Sequence, residues 1–532
     1  MSTTHGIYRI AILLTLGASA LGLWCLAAWA QVKPPNEDGP ALAQAAPAAA
    51  AQTNYLGVRR CKLCHDRDPK RLATDKSADE LRLTEYVQLT EFSTWYQHDK
   101  HAQAYKVLEG PLGKRMGEIL KTNVTQDKSC LSCHATLHDG KLPPESRRFE
   151  LVLGVACESC HGPSRQWFVP HMEPAWRVTP TAEKQKLGML DVRQPLVKAK
   201  VCLSCHLGDA QQDRVVTHEM YAAGHPPLGA FETQAFLDQM PPHWLPLGQK
   251  NERVRKQLKY DPADLPAAKT VALGGALAMR ESLKLLAASA NDPHRPHPEL
   301  ARFDCYACHH DLRPDGWRAK RNPRGIPGRP TLTEWPHSLV DLALRQASST
   351  KDDYEKRRAD WKAATAPLHA ALGAQPFGDP KLIGSPADKE SSAGRAIAFL
   401  DALIGELDKR PYDQSAALAS LRQLCIPPAP NDFGVDFAVD FDSARHRAWA
   451  IRSLYAGLSP KPANDSEIGV VLDELTTGLR LALPPRTASD AKTKGGEVEA
   501  ALGDTLKTLA SYDPAWFQSL LKKLSELLPK SP

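Results

Sequence analysis

Apolar residues recur at helical spacing in the last part of the chain. Ile468, Val471, Leu472, Leu475 and Leu479 share one face behind an Asn464-Asp465-Ser466 start signal. Ile397, Leu400, Ile404 and Leu407 form a second stripe. Asp513-Pro514 opens a third helix with Phe517, Leu520, Leu521, Leu524 and Leu528 facing inward; proline suits the first helical position, where its missing N–H costs nothing. Such stripes are core more often than binding surface, so residues 335–532 read as a helical region packing on what precedes it. Before residue 335 the periodicity breaks up. Gly and Pro punctuate residues 55–334 as they do in loops. Strand signals are weak throughout. The expected fold class is mainly α: an irregular, loop-rich domain followed by a helical carboxyl-terminal region.

The amino terminus follows another pattern. Ile10 to Ala30 is an uncharged apolar run of 21 residues that follows Arg9 and ends in Ala28-Trp29-Ala30. Residues 1–30 therefore read as a secretory signal peptide. The run is also long enough to cross a bilayer, so residues 10–30 kept as an uncleaved membrane anchor are the alternative. Residues 31–54 are rich in Ala and Pro, the composition of a linker. On either reading the rest of the chain is exported, to a periplasmic location, free or anchored to the inner membrane.

Composition adds exclusions. Hydrophobic residues make up 42% and charged residues 24%, ordinary values for a soluble protein. The 67 basic and 61 acidic residues leave +6, too mild to argue for a nucleic-acid partner. Cysteine is more informative. Ten of the 12 cysteines fall in five copies of one pattern. The copies are Cys61-Lys62-Leu63-Cys64-His65, Cys130-Leu131-Ser132-Cys133-His134, Cys157-Glu158-Ser159-Cys160-His161, Cys202-Leu203-Ser204-Cys205-His206 and Cys305-Tyr306-Ala307-Cys308-His309.

C-x-x-C-H is the attachment pattern of c-type haem. Two cysteines three positions apart on a helical turn can reach the two vinyl groups of one porphyrin, and the next residue sets its imidazole under the iron. A thiol redox pair would be expected once, and zinc sites do not need histidine after every second cysteine. The expected cofactors are five covalently attached haems c with their iron. Each ferric haem carries roughly −1 with its propionates ionised, so basic residues are expected nearby. Arg313, Arg318, Lys320, Arg321, Arg324 and Arg329 follow the fifth motif and read as a solvated loop, as propionate partners or as a docking face. Cys425 is alone and reads as a buried, inert thiol.

Distal ligands are less constrained, because 14 of the 19 histidines lie outside the motifs. Histidines crowded near the motifs are the better candidates. His101 lies between the first two motifs, with His98 three residues earlier on the same helical face. One of them would ligate and the other support it, and His101 is favoured. His218 and His225 follow the fourth motif, His171 follows the third, and His138 lies four residues beyond His134. His310, next to a proximal ligand, should point away from that iron. His243, His294, His297 and His337 stay open and unranked.

Four stretches resemble the cytochrome c-554/c-prime family: Tyr55-Leu56-Gly57, the segment Trp95 to His101, Gly154 through Cys157-Glu158-Ser159-Cys160-His161 to Pro163, and Ala222-Ala223-Gly224-His225-Pro226. They span about a third of the chain. The resemblance implies a mostly helical haem cluster with porphyrins in close pairs and periplasmic electron transfer, in the best-known member from hydroxylamine oxidation. It implies His101 and His225 as distal ligands by position, with His218 and His171 as further carry-overs. One family haem lacks a strong sixth ligand, which leaves room for nitric oxide chemistry. The fifth motif and the long carboxyl-terminal region depart from the family pattern.

The sequence reading is therefore a pentahaem cytochrome c domain, residues 55–334, that carries electrons between periplasmic redox proteins. The alternative is an oxidoreductase acting on a small nitrogen or sulfur compound at one open haem; a third reading is a docking subunit. No C-x-x-C-K variant occurs.

Overall fold

The computed structural model describes residues 54–66, 85–136, 150–294, 297–310, 312–320, 329–426, 440–459, 466–480 and 507–529. The apolar run 10–30, most of the linker and His138 lie outside the described residues. Helices joined by loops make up the described chain, and its only β pairs are the isolated bridges Asp209–Arg214 and Phe303–Leu332. The mainly α expectation is met.

The helix Pro266–Ala290 organises the core. Val271, Leu273, Leu277, Leu283, Leu285 and Leu286 are each at most 1% exposed, so apolar residues face inward around nearly its whole circumference. A helix apolar all round must be surrounded. It packs against Pro195–His206, Val340–Ala347, Ser392–Lys409 and Phe441–Leu458. Small residues allow the close approach: a Cβ on Gly275 would lie 2.4 Å from the Leu339 Cβ.

The three anticipated carboxyl-terminal helices form as Ser392–Lys409, Glu467–Gly478 and Pro514–Leu527. Ser466 caps the second by accepting from the Gly469 N–H, and Asp513 caps the third by accepting from Ala515. Their predicted stripes are buried, Leu400, Ile404, Val471, Leu475, Phe517 and Leu521 among them. Cys425 is buried, and desolvation pushes its thiol up to about 12.

The core is continuous across residue 335. Ala199 and Leu203, on the helix that ends in the fourth motif, share one apolar cluster with Leu273, Leu277, Trp335, Leu400 and Ile404. The periodicity of Pro266–Ala290 was masked in the sequence because its many Ala and Gly positions blur the contrast between faces. The first three motifs have much thinner support: one cluster around Tyr105, Leu108, Met116 and Leu131, another around Val58, Phe92, Trp95 and Leu153.

Leu277→Ala, at a fully buried position, is expected to lower the unfolding free energy by about 2–5 kcal/mol. Val470→Ala, at a position 60% exposed, should stay within about 0.5 kcal/mol. Urea titration of the holoprotein followed by circular dichroism checks both.

Candidate haem-attachment sites

Four of the five motifs end short helices. The first closes Val58–His65, the second Lys128–His134, the third Cys157–His161 and the fourth Pro195–His206. This matches the helical turn that places two cysteines on one side. The fifth differs: Cys305–Ala307 is a 3-10 turn, closed by the His309 N–H donating to the Cys305 carbonyl at 2.8 Å.

Buried side chains tie the motifs together. The helix Val58–His65 has no side-chain cap of its own. Glu150 accepts from the Val58 N–H at 2.9 Å, and Glu158, inside the third motif, accepts from Leu56 at 3.0 Å and Gly57 at 2.8 Å. Glu158 also accepts from the Ser164 N–H and hydroxyl. Two carboxylates thus sit where a helix N-terminus carries partial positive charge and unpaired N–H groups. Arg214 joins the second and fourth motifs, donating from Nε to the Ser132 carbonyl at 3.0 Å and from a terminal nitrogen to Ser204 Oγ at 2.5 Å. The Thr136 hydroxyl accepts from the Ala156 N–H and hydrogen-bonds Ser159. Gly154 is needed as glycine: its φ is +69°, and a Cβ there would lie 2.5 Å from the His101 carbonyl oxygen.

Each motif histidine faces one histidine from elsewhere in the chain. The ring centroids are 6.4 Å apart for His65 and His171, 6.3 Å for His134 and His225, 6.5 Å for His161 and His243, 6.1 Å for His206 and His101, and 6.4 Å for His309 and His218. Two metal–imidazole bonds of about 2.0 Å, each followed by the roughly 1.1 Å from nitrogen to ring centre, span about 6.2 Å. The five separations all fit one metal between two imidazoles, so the residues present fit a haem iron at every motif.

Burial favours the neutral form of four imidazoles, whereas at His101 the hydrogen-bonded Asp99 carboxylate outweighs desolvation and raises the ring. Burial pulls His161 and His206 down to about 4. It also lowers His171 and His243. His134 Nδ1 donates to the Ala104 carbonyl at 2.8 Å and His225 Nδ1 to the Pro226 carbonyl at 2.7 Å. His171 Nδ1 donates to the Phe168 carbonyl. Two rings donate to carboxylates instead: His65 to Glu91 at 3.1 Å and His101 to Asp99 at 2.9 Å. Burial opposes ionisation of both carboxyls, yet these bonds overcome it and hold them below their usual range. Such partners fix which ring nitrogen stays free for a metal.

Thiol contacts give the spatial order. Cys157 hydrogen-bonds Cys61, and Cys133 hydrogen-bonds Cys205. Cys160 feels Cys202 and Cys205. Tyr221, 6.0 Å ring to ring from His225, lies in the field of Cys305. The motifs therefore run first, third, fourth, second, fifth. The second and third motifs are separated by a short spacer, from Cys133 to Cys157. Their polypeptide is joined at Thr136, but their thiols pair with the fourth and the first.

The structure brings His101, His171, His218 and His225 to motif histidines; His138 lies outside the described residues. It adds His243, which the sequence left unranked because its motif, the third, lies 82 positions upstream. The only signal was the neighbouring Trp244, which packs edge-on against it at 5.1 Å. The expectation that His98 supports His101 is corrected. His98 ends its helix and is exposed, and Asp99 turns the chain so that the two rings do not share a face. His297 donates from Nε2 to the Phe377 carbonyl at 2.9 Å, and His337 accepts at Nε2 from the Trp361 indole. Of the basic residues after the fifth motif, Arg318 pairs with Asp304 at 2.9 Å. Arg321, Arg324 and the Lys320 side chain lie outside the described residues.

Helix-borne cysteine pairs followed by oriented imidazoles define the class: a c-type cytochrome, which holds haem through thioethers and an axial histidine. Within that class, residues 60–162 match the family described as cytochrome c554 and c-prime. Cytochrome c-554 of Nitrosomonas europaea is similar, at 31% identity over 170 residues, which is 30% of this chain and 60% of that protein. The chain thus spans less than two thirds of that relative. No solved structure matches.

Glu158→Ala would leave the buried N–H groups of Leu56, Gly57 and Ser164 unpaired, at about 1–3 kcal/mol each. The expected outcome is early local unfolding of residues 54–66, read by hydrogen exchange with mass detection, while the helix Pro266–Ala290 keeps its protection.

Proposed function

We propose that this protein is a periplasmic pentahaem c-type cytochrome that carries electrons between redox partners, with two imidazoles on every iron. The observation that carries the reading is the recurrence of one ring separation, 6.1–6.5 Å, at all five motifs. The axial sets are His65 with His171, His134 with His225, His161 with His243, His206 with His101, and His309 with His218. When bound, haem supplies reversible one-electron exchange at its iron.

The chain's own residues do the rest. Paired imidazoles would hold the iron from both sides and keep small molecules from it. This weighs against the reading of an oxidoreductase with an open haem. Rings already oriented by carbonyls and carboxylates need little rearrangement when the charge on the site changes, which suits electron transfer. The contiguous order of the motifs supports a wire whose ends are the first and fifth sites. The export signal at residues 1–30 and the likeness to cytochrome c-554 support a periplasmic setting with other redox proteins as partners.

Mass spectrometry of the exported protein should show five added haems. Electron paramagnetic resonance of the ferric form should show low-spin signals only, with no carbon monoxide binding after reduction. His243→Ala should convert one haem of five to a high-spin, carbon monoxide-binding form, whereas His138→Ala should leave all five unchanged. A high-spin haem in the unaltered protein would overturn the reading.

A further inference from the structure

The five sites differ in what their imidazoles donate to. The helix Glu91–His98 carries a carboxylate at each end: Glu91 is its first residue and Asp99 follows its last. Glu91 reaches His65 Nδ1 at 3.1 Å, at the first site. Asp99 reaches His101 Nδ1 at 2.9 Å, at the fourth. Both carboxylates are held in place. Glu91 accepts from the Gln88 N–H at 2.6 Å, Asp99 accepts from the His101 N–H, and Trp95 between them is buried, its indole donating to the Val155 carbonyl at 3.2 Å. Asp99 is only 4% exposed. At the second site both described Nδ1 partners, Ala104 and Pro226, are neutral carbonyls.

An imidazole that donates its N–H to a carboxylate gains imidazolate character and becomes a stronger donor through its other nitrogen. That favours the ferric over the ferrous state. A fixed negative charge a few ångströms beyond the ring acts in the same direction, because little water lies between to screen it. We infer that Glu91 and Asp99 are positioning residues that depress the reduction potentials of the first and fourth haem sites below that of the second, where both imidazoles donate to neutral carbonyls. The inference rests on the axial assignments proposed above.

The test is a spectroelectrochemical titration of the full-length holoprotein, compared with Glu91→Gln and Asp99→Asn. Asp99→Asn keeps the one oxygen that accepts both His101 donors, whereas Glu91→Gln removes the charge and keeps an acceptor for only one of its two donors, His65 or Gln88. Each is expected to raise the lowest-potential part of the titration by one electron equivalent, on the order of tenfold in that haem's reduction equilibrium, about 59 mV for a one-electron couple. The double variant should raise two. Five low-spin haems should remain by electron paramagnetic resonance. Unchanged potentials in both single variants, with five low-spin haems retained, would overturn this inference and leave the axial assignment standing. A high-spin haem in the unaltered protein would instead remove the assignment on which it rests.

Discussion

Two imidazoles that share one metal must keep one separation to within a few tenths of an ångström, and under the proposed axial pairing that requirement governs how the first half of this protein folds. The paired histidines are roughly 80–110 residues apart in sequence, so each pairing closes a long loop, at about 4–5 kcal/mol of chain entropy. The apolar clusters beneath the first three motifs are small. Burial of side chains alone would be weak compensation for five such closures. Under the proposed pairing, metal–ligand bonds and the large apolar face of each porphyrin would offset them and let a region so rich in loops hold a defined shape.

Buried carboxylates do the local fixing. Glu150 and Glu158 occupy the N-terminus of the first motif helix, where an unpaired backbone would otherwise be desolvated. Glu91 and Asp99 orient one imidazole each. A buried carboxylate without such donors would cost several kcal/mol. Here each has two or more. Arg214 contributes in the opposite sense, a cation whose donors satisfy groups from two motifs at once. These contacts explain how motifs distant in sequence come to lie side by side.

The carboxyl-terminal helices are built on the ordinary principle of apolar faces removed from water. Their influence on the haem sites runs through the helix Pro266–Ala290 and the helix Pro195–His206, which share one cluster. Phe231 stacks on His206 at 4.3 Å, and Phe236 meets Trp449 of the helix Phe441–Leu458 edge-on at 5.4 Å. The fourth motif is therefore seated on a continuous hydrophobic core, whereas the first three rest on one another. This difference in support follows directly from where the long apolar helices fall in the chain.

Much was legible in the amino-acid sequence. The motif residues follow from covalent chemistry that requires a fixed local spacing, and three carboxyl-terminal helices follow from a 3.6-residue period; both are properties of neighbouring positions. His101 and His225 could be singled out because they sit in short stretches with a recognisable pattern. What tertiary structure decided is which histidine meets which. His243 meets the third motif and His101, whose carbonyl packs against Gly154, meets the fourth, and no periodicity along the chain encodes a meeting across roughly a hundred residues. The spatial order of the motifs, the shared core across residue 335 and the unequal partners of the imidazoles belong to that same category. They depend on distances between segments, which local sequence cannot specify.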